Sequence, residues 1–254
     1  MAKKHRLAIR QPKDLDHLEL TGEVDLGVVA QYGKIIPKKI LDFPSKGIIN
    51  VHTSLLPKYR GAAPIQQALL EGETETGITI MKMDEGLYTG PIILQKSVGV
   101  RSHDKHLDLK SKLAKLGGKT LLEAIPKYIS GKIEPTKQNE DEATITEKIT
   151  KDKGKIDWNN TTETIYNKFR AFHNWPGIWT IWNEKRLKLN KITKIKDKNI
   201  DSGQVKIIND KIFIGTVDGA IEVKKIQLQG KQAMEPKDFI NGYGDRINED
   251  VLDS

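Results

Sequence analysis

The sequence predicts an α/β layer built on a parallel-type sheet, followed by a small β-barrel. Two patterns carry this. In the first half, near-continuous apolar runs at 25–30 and 47–51 alternate with helical stretches, as expected of strands covered on both faces of a parallel sheet. In the second half, five short strands follow one another with tight-turn signals between them, among them Asp218-Gly219, the pattern of a small barrel. Residues 131–160 between the halves are polar and charge-dense and read as a linker. The chain thus divides into 1–130, a linker at 131–160, and 161–254.

Taken in order, residues 1–23 contain no long apolar strand, and the first strand is 25–30. A loop at 31–37 enters a short helix at 38–42, and the second strand is 47–51. A helix follows at 62–71, with Pro64 in its first turn, where a missing N–H is harmless. Strands at 78–83 and 92–100 flank a bend at Gly86–Gly90 and are expected to pair antiparallel. From 104 to 129, Leu107, Leu109, Leu113, Leu116, Leu121, Leu122 and Ile125 keep helical spacing, with Gly117-Gly118 as a weak point. A doubly wound sheet ordinarily opens on a strand and a Gly-rich turn. None precedes 25–30, which is therefore expected beside an unfilled position, as an exposed edge. In the second half a helix at 165–172 has Thr161 or Thr162 as its N-cap. The barrel strands are expected at 179–182, 186–190, 204–208, 211–216 and 221–228, with a closing helix at 236–241 and a mobile polar tail from Gly242.

The 254 residues can bury one large core or two ordinary ones. No apolar run approaches membrane-spanning length, and the basic start lacks a signal-type apolar region. The absence of cysteine excludes disulfides, thiolate metal sites and a cysteine nucleophile, and fits a cytoplasmic protein. A net charge of +8 favours a polyanionic partner, although lysine-rich surfaces also serve solubility alone.

The chemistry concentrates in one stretch, 47–94. Asn50 and His52 are two apart in a strand and so share a face. An amide and an imidazole aimed at one point can stabilise an oxyanion and move a proton. Two satisfied polar groups at a strand end is the plainer reading of that pair. His103 and His106 have helical metal-pair spacing but no third ligand, and read as a solvated helix start. His5 and His17 carry no signal. His173, beside Trp175-Pro176, reads as a packing residue.

Four blocks stand in order: Asn50-Val-His52-Thr-Ser54-Leu55-Leu56-Pro57, Arg60-Gly-Ala-Ala-Pro64-Ile, Thr76-Gly-Ile-Thr-Ile-Met81 and Gly86-Leu-Tyr88-Thr-Gly90. Together with Lys155-Ile-Asp-Trp158 and Arg170 to Gly177, they resemble the methionyl-tRNA formyltransferases. The resemblance implies a Rossmann-like formyltransferase fold with an OB-like barrel. It implies transfer of a formyl group from 10-formyltetrahydrofolate to methionyl-initiator tRNA, by a monomer with no metal. Asn50 and His52 would be the catalytic pair, with a protonated His52 as one oxyanion donor. Ser54, Leu55, Leu56 and Pro57 would line the folate site. Arg186, Lys188, Lys191 and Lys206 on the basic barrel would hold tRNA, with Arg186, Lys188 and Asn190 on one strand face. The family carries aspartate where this chain has Tyr88, a third catalytic position. Tyrosine is neutral at pH 7 and cannot supply the field of a carboxylate. Asp84 could substitute only if the Gly86 bend folded it back. The family's sheet also begins earlier, so the resemblance implies an incomplete, N-terminally truncated sheet. Two other readings stay open: an amino-sugar nucleotide formyltransferase, and a catalytically silent tRNA- or folate-binding form.

Overall fold

The computed structural model describes residues 2–15 and 18–253; His17 lies outside them. The first layer is a four-stranded sheet in the order β1 (Gly27–Ala30), β2 (Ile48–His52), β4 (Glu75–Lys82), β5 (Ile92–Gly99). Only β1 and β2 run parallel; β2–β4 and β4–β5 are antiparallel, the latter as the bend between them predicted. Short helix α1 (Lys38–Leu41) connects β1 to β2, and α2 (Pro64–Leu70), with Pro64 in its first turn, precedes β4. A two-residue strand, β3 (Arg60–Gly61), lies outside the sheet.

Helix α3 (His106–Ile129) is continuous through Gly117-Gly118. Gly117 is a packing point: a Cβ there would lie 3.1 Å from Val51 Cγ1 and 3.4 Å from Ile78 Cδ1, so its absence lets the helix seat on the sheet. Leu109, Leu113 and Ala124 of α3 are fully buried, as are Ile49, Ile78 and Ile80 of the sheet, whereas Leu107 and Leu122 are exposed. α3 covers β4 and β5, reaches Val51 of β2, and leaves β1 at the edge. Coverage of β1 on both faces is thus not observed: its burial alternates and Val28 is 45% exposed.

The stretch read as a linker is a packed strap. Within it β6 (Ile145–Thr146) pairs with β3, Thr136 bridges to Ile92, and Ile156 and Trp158 are buried. Its polar composition reflects one exposed side, while its backbone hydrogen bonds are made to the first layer and the barrel. Helix α4 (Thr162–Phe172) is capped by Thr161, whose hydroxyl accepts from Thr164 N at 3.1 Å. It packs on α2 and on the barrel, so one continuous apolar core joins the two halves.

The barrel sheet is antiparallel, in the order β7 (Ile178–Trp182), β8 (Lys185–Ile195), β11 (Gly219–Leu228), β10 (Lys211–Thr216), β9 (Val205–Ile208). The tail expected to be mobile closes it. Helix α5 (Pro236–Ile247) runs six residues past the predicted end. Beyond it Asp253 bridges to Ile181 on one edge and Val251 to Gln204 on the other. Leu252 is 3% exposed, and Trp182 Nε1 donates to Asp250 at 2.8 Å. Edge strands present unpaired backbone groups, and this polar segment satisfies them.

Candidate active site

Asn50 and His52 project from one face of β2, beside Met81 and Thr79 of β4; Val51, between them, faces α3. The sequence-predicted pair is therefore brought together. Both are nearly buried, at 6% and 4% exposure. The Asn50 amide has no hydrogen-bond partner among the described residues, so it remains available to a ligand. Neither residue lines the cavity of about 670 Å³ beyond Tyr59, which Lys58, Gln67, Glu71, Glu73 and Thr144 enclose.

The turn after β2 is pinned to the sheet through Thr79. Its hydroxyl donates to Ser54 O at 2.7 Å and accepts from Leu56 N at 3.0 Å and Gln95 Nε2 at 2.8 Å. Ser54 and Leu56 are buried, and the Ser54 hydroxyl donates to Lys58 O at 2.6 Å. These two side chains build the turn, and Leu55 and Pro57 keep the partly exposed surface.

His52 Nε2 lies 3.0 Å from the carbonyl of Tyr59. A carbonyl only accepts, so Nε2 carries the proton and neutral His52 keeps its lone pair on Nδ1. Burial pushes the imidazole down to about 4, with the carbonyl bond opposing. At neutral pH His52 is then uncharged. The expected protonated donor is replaced by a proton acceptor, because no carboxylate among the described residues compensates the desolvation.

Tyr88 lies against His52, with ring centroids 4.4 Å apart and planes tilted by 45°. Burial pushes its phenol up, so it too is neutral. It sits at φ 59°, a left-handed conformation in which aspartate is several-fold commoner than bulky residues. Asp84 does not replace the missing charge. It is exposed and holds the bend, accepting from Gly86 N at 3.1 Å and Thr89 Oγ1 at 2.8 Å. Gly90 ends the bend where a Cβ would meet Lys82 O at 1.9 Å. Gln138, in the strap, donates to the carbonyls of Tyr88 and Gly90. Composition hid Gln138 and the Tyr59 carbonyl; only the neighbouring Arg60-Gly61 block hinted at them.

The chain matches the Formyl transferase family over residues 2–125 and the Formyl transferase C-terminal domain over 148–244. It is 45% identical to a methionyl-tRNA formyltransferase of Caldicellulosiruptor saccharolyticus, across 95% of this chain and 80% of that one. It is 42% identical to that of Thermodesulfovibrio yellowstonii, across 89% and 72%. The chain belongs to the methionyl-tRNA formyltransferase family. A solved sugar 3N-formyltransferase, WlaRD, shares the fold at TM-score 0.68 and 23% identity, covering 91% of this chain and 81% of that one.

Within the methionyl-tRNA formyltransferase resemblance, Tyr88 stands at the position where an aspartate was expected. The chain's predicted tRNA-binding cations fall into two groups. Arg186 and Lys188 point outward from β8, where Leu187 and Leu189 point inward, and the Arg186 guanidinium lies 3.9 Å from the Trp179 ring centre. Lys191 stands opposite Lys225 in register, a like-charge pair that is unfavourable without a counter-charge. Lys206 is on β9, three strands from β8, and pairs with Glu249; at about 4.8 Å per strand it lies outside that patch. Asn190 sits at a β-bulge with its Oδ1 buried and unpartnered. His103 and His106 belong to no group able to hold a metal among the described residues, and no described helix is long and apolar enough to cross a membrane.

Proposed function

We propose that the chain transfers a formyl group from 10-formyltetrahydrofolate to the amino group of methionyl-initiator tRNA, in translation initiation. The observation that carries this is a partnerless carboxamide and a neutral imidazole on one strand face, in a chain of which 95% aligns with a methionyl-tRNA formyltransferase. The new N–C bond forms as the amine attacks the formyl carbon, and the bond from that carbon to the folate nitrogen breaks. Asn50 donates its amide hydrogens to the developing oxyanion. His52, fixed by Tyr59 O, takes the amine proton on Nδ1 and passes it to the folate nitrogen as that bond breaks. Leu55 and Pro57 supply apolar surface toward the folate, and the Ser54–Thr79 bonds hold the turn that presents them.

In this reading 1–130 is the catalytic layer, 131–160 the strap and 161–254 the cationic barrel. Arg186, Lys188 and Lys191 contact the tRNA backbone, which supplies affinity without sequence selection. Lys191 and Lys225 support this, since a phosphate between them relieves their repulsion. The reading carries with it a cytoplasmic monomer. The test is formylation of charged initiator tRNA beside a His52→Ala control. Formyl transfer above that control is expected; equal rates at intact folate and tRNA binding would leave only the silent binding form.

A further inference from the structure

Gln138 is 4% exposed although it lies in the polar strap. Its carboxamide is saturated. Oε1 accepts from Arg60 Nε at 3.2 Å and Nη2 at 2.8 Å, while Nε2 donates to Tyr88 O at 2.8 Å and Gly90 O at 2.7 Å. The amide cannot be reversed, because a guanidinium only donates and carbonyls only accept. Arg60 is itself clamped by both carboxylate oxygens of Glu140, at 2.7 and 2.8 Å.

Arg60 directly follows Tyr59, whose carbonyl fixes His52. The Tyr59 carbonyl and the Tyr88 ring, both set against the imidazole, are therefore anchored in one network. A non-glycine residue at positive φ persists where its surroundings hold it there. For Tyr88, at φ 59°, the carbonyl bond from Gln138 contributes to that hold.

We propose that Gln138 is a positioning residue: through the Tyr88 carbonyl it holds the phenol ring against His52. Its kinetic consequence rests on the formyl-transfer reading; its spectroscopic consequence does not. Two variants test it. Gln138→Leu removes all four bonds. Gln138→Glu keeps an acceptor for Arg60 and removes only the two N–H donors, and it carries the test if the leucine variant does not fold. NMR of the full chain follows the His52 ring protons and their titration, and steady-state kinetics separates kcat from KM.

The expected result is a shift of the His52 ring signals and an upward move of its titration as Tyr88 lifts and water enters. With it kcat falls about tenfold, as misplacement near a reacting group does, while KM changes less than about twofold. On a Tyr88→Leu background the same changes at Gln138 shift His52 far less. Folded variants with unaltered His52 signals and titration overturn the proposal. So do equal shifts on both backgrounds, which assign the effect to Gln138 without Tyr88. If no protein in the set transfers formyl groups, the functional reading fails, and the NMR result still decides the role of Gln138.

Discussion

Replacing Tyr88 by aspartate places a carboxylate over an imidazole that now titrates at about 4. The backbone is suited to it, since φ is 59° and aspartate adopts that region with little strain. The ring centroids are 4.4 Å apart. A shorter side chain puts the charge about 5 Å from the imidazole, worth about 3.3 kcal/mol at an effective dielectric of about 20. That is about 2.4 pKa units, which lifts His52 to about 6.4. The protonated fraction at pH 7 then rises from about one in a thousand to about one in five. About four-fifths of His52 stays neutral, and as a base with a pKa nearer the working pH it takes the amine proton more readily, so turnover is expected to rise about tenfold. The assay is kcat/KM for formylation of charged initiator tRNA across pH 5–8, with His52 titrated by NMR. A pKa that moves by less than about half a unit refutes the electrostatic reasoning. A pKa that rises with no gain in turnover, at intact folate and tRNA binding, refutes the catalytic role of His52.

Three further outcomes are expected. His52 titrates lower in the folded chain than the usual 6.5, so its stabilising contribution is complete above pH 6.5 and is lost as pH falls toward 4. The loss by pH 4.5 is about 2.5 kcal/mol, measured by urea unfolding of the wild type against His52→Gln at pH 7 and 4.5. Burial also lowers the titration of His106 and His173; they act in the same direction in both proteins and cancel. Leu252→Ala is expected to cost about 2–4 kcal/mol, because the side chain is 3% exposed in the barrel closure; a loss near zero in urea melts would return the tail to solvent. Arg186→Ala is expected to weaken tRNA binding and reduce its salt slope by about 1, with a smaller change for Lys206→Ala, already paired with Glu249. Equal slopes for the two variants would show that the tRNA path crosses the whole barrel.

The local elements were legible because short-range rules write them. Alternation set Arg186 and Lys188 on one face of β8, though a bulge takes Asn190 out of that row; Thr161 capped α4, and the spacing of two set Asn50 and His52 on one face. What failed depended on neighbours distant in sequence. The apolar run at β1 gave no sign that α3 lies over β4, β5 and Val51 of β2 and leaves β1 at the edge, and the polar strap and tail gave no sign of the backbone partners they satisfy.

By itself, then, the sequence determined the pairing of a carboxamide with an imidazole, the two-part α/β and barrel plan, the cationic surface, and a tyrosine at position 88 that carries no charge at neutral pH. Only the tertiary structure decided the charge state of His52 and what stands around it. Protonation is set by desolvation and by the nearest dipoles, and here these come from the carbonyl of Tyr59 and the ring of Tyr88. The hold on Tyr88 comes in turn from Gln138, fifty residues further along the chain.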